Sequence, residues 1–389
     1  MNILFLTYDV PWPLNAGGKV RAYNLIKILS KRHRVTLFTF FRREEQLQHL
    51  KHLTDICHKI IPVKRNTLYD IHTWAFSLAK PFPAALYYHP AVARLLLDTM
   101  TIHRYDAVHF ESFYTSPYID LIRNIPTIMG TENIEWRVYD EFVNARVPSF
   151  LHIPASWEIA RLRSFEKYTW KTAHVCLAVS RQNADEIKEV VHQHVPVIAN
   201  GIDIDTFAYK HNPSTNTILF VGNYSYIQNT DSVQWIVEHV VPHISSTATF
   251  CIAGKNPTAD IKKLNGQVVR HVTVRVAANV PDIRDVYASS AILLAPIRVG
   301  SGTQFKMLEA MACGVPVVTN TKGIEGIPAA HEKEVLISDT EEDMAYSVDT
   351  LLGSREQRMN IALSARAMIE RRFTWDAIGK ELERVYSEV

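Results

Sequence analysis

At 389 residues the chain is too long for one comfortable hydrophobic core and suits two domains of ordinary size. Its 47% hydrophobic and 21% charged residues exclude a disordered or fibrous protein, and a net charge of +2 argues against nucleic acid as a partner. Cys57, Cys176, Cys251 and Cys313 are scattered without a C-x-x-C pair, which excludes a disulfide framework or a cysteine zinc site and suits a reducing cytosol.

The opening "MNILFLTYDVPWP" is apolar but short, without a basic n-region, and reads as a first β-strand, not a signal peptide. No run approaches the ~18 apolar residues of a membrane span, so any membrane contact would be peripheral. After this strand, "LNAGGKVR" is a glycine turn, and Val20–Leu29 carries Ala22, Leu25, Ile26 and Leu29 at helical spacing. "RVTLFTF", "KIIPVK", "DAVHFES", "PTIMG" and "HVCLAVS" follow as strands. Several are continuous apolar runs, as in a parallel sheet covered on both faces. Trp157–Thr172 reads as a further helix. The repeated β–α alternation predicts a doubly wound sheet.

Around residues 195–215 the alternation breaks. Asn200-Gly201 and the Asn/Pro/Ser/Thr cluster at Asn212–Thr217 are turn and linker chemistry. "TILFVG", a helix through Asp231–His239, "ATFCIAG", "HVTVRV", "AILLAP" and "VPVVT" then restart it. The expected organisation is a domain over residues 1–200, a second over 201–372, and a terminal segment, 373–389, whose helix Trp375–Ser387 returns to the first domain. Two similar domains with a cleft between them give a natural place for a ligand.

The stretch "PIRVGSGTQFKMLEAMACGVPVVTN", Pro296–Asn320, is strand end, glycine turn, helix and strand, with Gly314 as the helix C-terminal glycine. Gly302, Lys306 and Glu309 are spaced i, i+4, i+7 on one helix face. Amides at the helix start, near Gly302 and Thr303, suit a phosphate, and Arg298 and Lys306 offer full charges. Glu309 would lie ~10 Å along the axis from Gly302, in reach of a ribose carried by a bound diphosphate. The competing reading is a capped core helix with an ordinary Lys306–Glu309 surface pair. Asp203-x-Asp205, in "GIDID", reads as hinge chemistry and not as a metal site.

These residues carry a resemblance. "GSGTQFKMLEAMACGVPVVTNTKGIEG" resembles the nucleotide-sugar motif of the GT-B glycosyltransferases of retaining family 4 (glycosyl transferases group 1). "TYDVPWPLNAGGKVRAYNLIKIL", "ANGIDIDTF", "ILFVGNY" and "RRFTWDAIGKELE" agree in order, so the resemblance covers nearly the whole chain. It implies an α/β GT-B fold, two Rossmann-like doubly wound domains facing a cleft.

The implied activity is transfer of a sugar from a nucleotide diphosphate to an acceptor hydroxyl, with retention, as in polysaccharide biosynthesis. No metal or cofactor is implied. The donor, UDP- or GDP-linked, is a substrate, and the acceptor is a glycan or lipid-linked chain. Localisation is expected to be cytoplasmic, with peripheral contact at the inner membrane face left open. By the same resemblance Glu309 would hold the donor ribose, with Gly300, Ser301, Gly302 and Thr303 around the diphosphate. Gly17 and Gly18 would approach the donor from the other domain, and backbone groups near Asn279 and Val280 would meet the nucleobase. Arg298 and Lys306 would stabilise the departing diphosphate, and closure of the domains would exclude water.

Two departures stand out. The first glutamate of the family's Glu-x7-Glu motif falls at Ser301, and the loop "NYSYIQN" after "ILFVG" lacks the family's cations. Arg298 and Lys306 would replace them from the other loop. Glu111, near the place of a family histidine, is the expected base for the acceptor proton, and Glu132 stands similarly in "GTENIEW". His109 reads as a core or cleft-wall histidine. A nucleotide-sugar epimerase of the same fold and a non-catalytic scaffold are the alternatives.

Overall fold

The computed structural model describes every residue except 211–214 and 299–302, with residues 145 and 146 described by backbone alone. It divides into two compact units, one of Met1–Ala199 with Ile378–Val389, the other of Asn200–Ala377.

In the first unit the apolar runs become six strands, β1 (Asn2–Thr7), β2 (Arg34–Phe41), β3 (Lys59–Lys64), β4 (Ala107–Glu111), β5 (Thr127–Thr131) and β6 (Val175–Ala178). They form one parallel sheet in the order β3-β2-β1-β4-β5-β6. Ile3, Leu4, Phe5 and Leu6 are all fully buried, so both sides of β1 are covered, as a central parallel strand requires. The strand order reverses between β1 and β4, and their carboxyl ends are where such a sheet takes a ligand. The helix after β1 runs from Gly17 to Leu29, three residues earlier than its apolar spacing indicates, and the helix before β6 runs from His152 to Thr172.

The second unit holds β7 (Thr217–Asn223), β8 (Ala248–Lys255), β9 (Val268–Val269), β10 (Val272–Ala278), β11 (Ile292–Leu294), β12 (Val317–Thr319) and β13 (Leu336–Ile337). Their order is β13-β12-β11-β7-β8-β10-β9, parallel except for the short β9. Here the reversal lies between β7 and β11. The helix that follows β11 spans Phe305–Cys313, two residues shorter at its start than the sequence pattern suggests. Gly314 ends it with φ 79°, and its N–H bonds to the carbonyls of Ala310 and Met311. A Cβ there would also stand 2.3 Å from the Tyr209 ring, so glycine is required twice over.

The last helix spans Trp375–Glu388. Its Ile378, Leu382, Val385 and Tyr386 are buried, the side chains one apolar stripe would present, and Ile378–Val389 group with the first unit.

Candidate active site

Each unit carries a buried cation across its own topological reversal. In the first unit this is Arg21, 1% exposed, although it sits on the apolar face of its helix with Leu25 and Ile28. Its Nε donates to Glu111 Oε1 at 2.7 Å, and its Nη1 donates to the Ile198 carbonyl at 2.6 Å. The bond to Glu111 joins the helix after β1 to the end of β4. Glu111 Oε2 lies 2.7 Å from His109 Nε2, and His109 Nδ1 lies 2.8 Å from the Tyr386 hydroxyl. His109 thus links the Glu111 carboxylate to the Tyr386 hydroxyl, one ring nitrogen to each. Its ring stacks on Phe5 at 4.2 Å, so His109 is a satisfied core histidine.

This geometry corrects the base assigned to Glu111. Burial alone would raise its pKa, but Arg21 and His109 more than offset that and hold it at about 2. A carboxylate that acidic, fully enclosed and bonded on both oxygens has little proton affinity and no open face for an acceptor.

Glu132, just beyond β5, differs. Burial and then the Glu111 charge push it up to about 8, so it keeps its proton at neutral pH. It is not a solvated loop charge: its Oε1 is enclosed, without a hydrogen-bond partner among the described residues. In the alkaline range, where Glu132 has ionised, its negative charge, and then burial, hold the Tyr8 hydroxyl well above the usual range. Gly18 lies against both. A Cβ on it would come 2.2 Å from the Tyr8 hydroxyl and 2.9 Å from Glu132 Oε2, which explains glycine there by close approach. Gly17 opens the helix, whose N-cap residue Ala16 makes no side-chain cap.

In the second unit the cation is Lys306, 8% exposed. Its Nζ donates to Asn229 Oδ1 at 2.7 Å and lies 4.2 Å from the centre of the Phe220 ring. Asn229 in turn donates from Nδ2 to the Asn223 carbonyl at 2.9 Å. Lys306 therefore ties the helix after β11 to the helix after β7, across the reversal. Burial pushes its pKa down to about 7, against the pull of Glu309. The surface-pair reading of Lys306 and Glu309 is corrected, because Lys306 faces inward. Glu309 is half-buried, and its Oε2 accepts from the Tyr287 hydroxyl at 2.8 Å. Burial raises it to about 7, with Tyr287 and Lys306 pulling the other way.

Arg298 follows β11 with its side chain 46% exposed, its Nε 3.8 Å from Asp231 Oδ2 and its guanidinium 5.5 Å from the centre of the Trp235 ring. Lys322 Nζ donates to the Arg298 carbonyl at 3.2 Å. Thr303 is buried, and its hydroxyl has no partner among the described residues. Gly300, Ser301 and Gly302 lie outside the described residues. Asn279, at φ 50°, gives its N–H to the Gly254 carbonyl at 2.6 Å, and its Oδ1 accepts from Asn256 N at 2.9 Å. That N–H is spent on stitching the turn to β8; Val280 follows it, half-buried.

Sequence reasoning missed Arg21, Tyr8, Asn229, Tyr287 and Lys322 as parts of these arrangements. Only Arg21 left a signal, as a charge on an apolar helix face. Asp203 is a turn residue: its Oδ1 accepts from the N–H of Asp205 at 3.0 Å and of Thr206 at 3.1 Å. Among the described residues, donor atoms of Asp70, His72 and His89 lie within 4.8 Å of one another, a spacing a metal ion can bridge. Asp70 already caps a short helix through His72 N, and His89 Nδ1 accepts from Ala91 N.

Comparison with known proteins places these units in a family. Residues 16–206 match a model described as Glycosyltransferase Family 4, and residues 215–354 match one described as Glycosyl transferases group 1. A Klebsiella pneumoniae chain described as an uncharacterized 44.6 kDa protein in cps region is 22% identical over 391 residues, 96% of each chain. Anabaena Alr3699/HepE, solved in complex with UDP-glucose, aligns over 100% of both chains with a TM-score of 0.69 and 17% identity. Sucrose-phosphate synthase from Thermosynechococcus elongatus aligns over 100% of this chain and 98% of its own, with a TM-score of 0.74 and 13% identity. At those identities the likeness is one of fold. The two family models take in β2–β6 of the first sheet and all of the second, both sheets are Rossmann-like and parallel but for the short β9, and the chain belongs to the GT-B glycosyltransferases of the group 1, family 4 type.

Proposed function

We propose that this glycosyltransferase moves a sugar from a nucleotide diphosphate to an acceptor hydroxyl with retention at the anomeric carbon. The observation that carries the reading is the Lys306–Asn229 bond across the β7/β11 reversal, with Glu309 one turn further along the same helix. The loop after β7 has no cation of its own, and Lys306 brings one to its edge from the other loop. A diphosphate bound there meets Lys306, Arg298 and the amides at the helix start, and its charge holds Lys306 protonated. Glu309, oriented by Tyr287, accepts from the ribose hydroxyls.

In the reaction the acceptor oxygen bonds to the anomeric carbon as the bond from that carbon to the diphosphate oxygen breaks. The acceptor proton passes to the departing diphosphate, on the same face of the sugar, so no protein nucleophile is needed. The low proton affinity of Glu111 supports this route over a carboxylate base. Arg298 and Lys306 lower the barrier by stabilising charge on the leaving group. Glu132, protonated at neutral pH, is a hydrogen-bond donor for the acceptor side. Complexes with UDP-glucose, UDP and glucose, and UDP have been solved for Alr3699/HepE, and they favour a uridine donor as the first to try. The full-length relative from a cps region favours a glycan or lipid-linked acceptor.

The test is to incubate the protein with UDP-, GDP- and ADP-sugars, with and without glycan or lipid acceptors, following released nucleotide and the anomeric configuration of the product. Release that depends on the acceptor, with the donor's configuration kept, supports the proposal. An inverted product, isomerised free donor, or binding without turnover overturns it.

A further inference from the structure

The first sheet ends in two arginines that pair with nothing negative. β2 and β3 run in register, Phe41 beside Lys64, so the residues that leave them, Arg42 and Arg65, stand side by side at the carboxyl edge of the sheet. Both backbones are tied down. Arg65 N donates to the Phe41 carbonyl at 2.9 Å, and Arg42 N donates to Gln46 Oε1 at 2.7 Å. The side chains converge on one atom: Arg42 Nη2 and Arg65 Nη1 each donate to the hydroxyl of the buried Tyr87 at 3.4 Å.

Two cations are poorly served by this. The phenol oxygen is neutral, 3.4 Å is long for a hydrogen bond, and two like charges drawn to one point repel each other. Arg65 Nε is buried, without a partner among the described residues. The nearby acids are already engaged. Asp9, whose charge reaches Arg42, is held by Lys19 at 3.3 Å and by Gln46 Nε2 at 2.6 Å, and Glu44 turns to Lys64 at 2.9 Å. An anion from outside the chain would supply what both guanidiniums lack, and the planar fork of arginine fits the paired oxygens of a carboxylate or phosphate.

The surroundings indicate what carries that anion. The Tyr87 ring lies 5.2 Å from Tyr114, and Tyr114 lies 5.4 Å from Tyr8. Tyr8 follows β1 directly and lies with Glu132 against Gly18, so this run of rings leads from the arginine pair to the β1/β4 reversal. Polar tips stand along it. The Tyr114 hydroxyl donates to Glu135 Oε2 at 3.1 Å, and Glu132 Oε1 has no partner among the described residues. Aromatic rings with a few placed polar groups suit a ligand with apolar faces and a hydroxyl edge, which describes a sugar ring.

We propose that Arg42 and Arg65 hold a carboxylate or phosphate on the acceptor, which makes the acceptor an acidic sugar laid along Tyr87, Tyr114 and Tyr8. Naming this ligand the acceptor rests on the transfer reaction proposed above; the anion site itself does not.

The experiment titrates methyl glucuronide, glucose 6-phosphate and methyl glucoside into the full chain without donor, read by calorimetry. One of the two anionic probes should bind about tenfold or more tightly than the neutral glucoside, and which one does so tells carboxylate from phosphate. About 1 M salt should shrink that margin. Arg65→Gln and Arg42→Gln should each erase most of it, with affinity for the glucoside and the thermal transition unchanged. Arg65→Lys keeps the charge without the fork and should restore only part. Arg42 is exposed, so its variant reads the site even if Arg65→Gln misfolds. Equal binding of all three probes, no binding of any, or an arginine variant that keeps the full margin would overturn the proposal. An anionic probe held by the arginines, with no acceptor-dependent release of nucleotide, supports the anion site and overturns the transfer reading. Transfer that proceeds equally well to neutral and acidic acceptors does the reverse.

Discussion

Replacing Arg21 with methionine tests the first unit at its most constrained point. The guanidinium and the Glu111 carboxylate are both at most 1% exposed and 2.7 Å apart, so the substitution strands a buried carboxylate. Removing one partner of such a pair costs about 3–5 kcal/mol, and the lost bond to the Ile198 carbonyl adds to it. At about 2–4 °C per kcal/mol for a domain of 150–250 residues, the midpoint should fall by roughly 6–20 °C. The pH dependence gives a second check. The folded pKa of Glu111, about 2, lies below its unfolded value, so its stabilisation is present above roughly pH 4 and is lost as pH falls toward 2. The gap between wild type and Arg21→Met should therefore narrow between pH 7 and pH 3. Arg21→Met with Glu111→Gln should recover most of the loss, since no charge is left buried. Urea and thermal unfolding measure all three. A single variant within about 1 kcal/mol of wild type, or a gap that does not narrow in acid, would refute the reasoning.

Glu132 has the opposite sign. Its folded pKa, about 8, lies above its unfolded value, so its contribution is fully present below about pH 4 and is lost as pH rises to 8. Glu132→Gln should be the more stable protein at pH 8, on the order of a few kcal/mol, with the advantage gone by pH 4; thermal melts across that range would show it. Donor affinity should peak near pH 7, because Glu309 takes up its proton below that point and Lys306 loses its own above it. Calorimetric titration from pH 5.5 to 9, a range of about two units to either side, checks this, and Lys306→Met should flatten the alkaline limb. Asn229→Ala leaves the Lys306 ammonium without its acceptor, at a cost of about 1–3 kcal/mol in stability, and donor titration should shift the alkaline limb to lower pH.

The two sheets were legible because their central strands are near-continuous apolar runs such as "NILFLTY" and "TILFVG", separated by helices with their own spacing. β9 and β13 were not, because two residues each, Val268–Val269 and Leu336–Ile337, carry no measurable period. At the site, residue type gave Glu309 and Lys306 their place on one helix. It did not reveal that Lys306 turns inward to Asn229, since that partner is 77 residues away in the chain. Glu111 shows the limit most clearly. A carboxylate at a strand's carboxyl end reads as a base until Arg21, a residue of the quoted "LNAGGKVR", is seen to neutralise it. Long-range ion pairing sets proton affinity, and local sequence does not encode it.

The central claim is that the Phe305–Cys313 helix holds the donor's diphosphate at its start and the ribose at Glu309. Calorimetric titration of UDP-, GDP- and ADP-sugars into wild type and Glu309→Ala, at one pH near 7, tests it most directly. One nucleotide should bind wild type, and the variant should lose about 1.5–3 kcal/mol, roughly ten- to a hundredfold in affinity, with its fold intact. Unchanged affinity in Glu309→Ala would contradict the account.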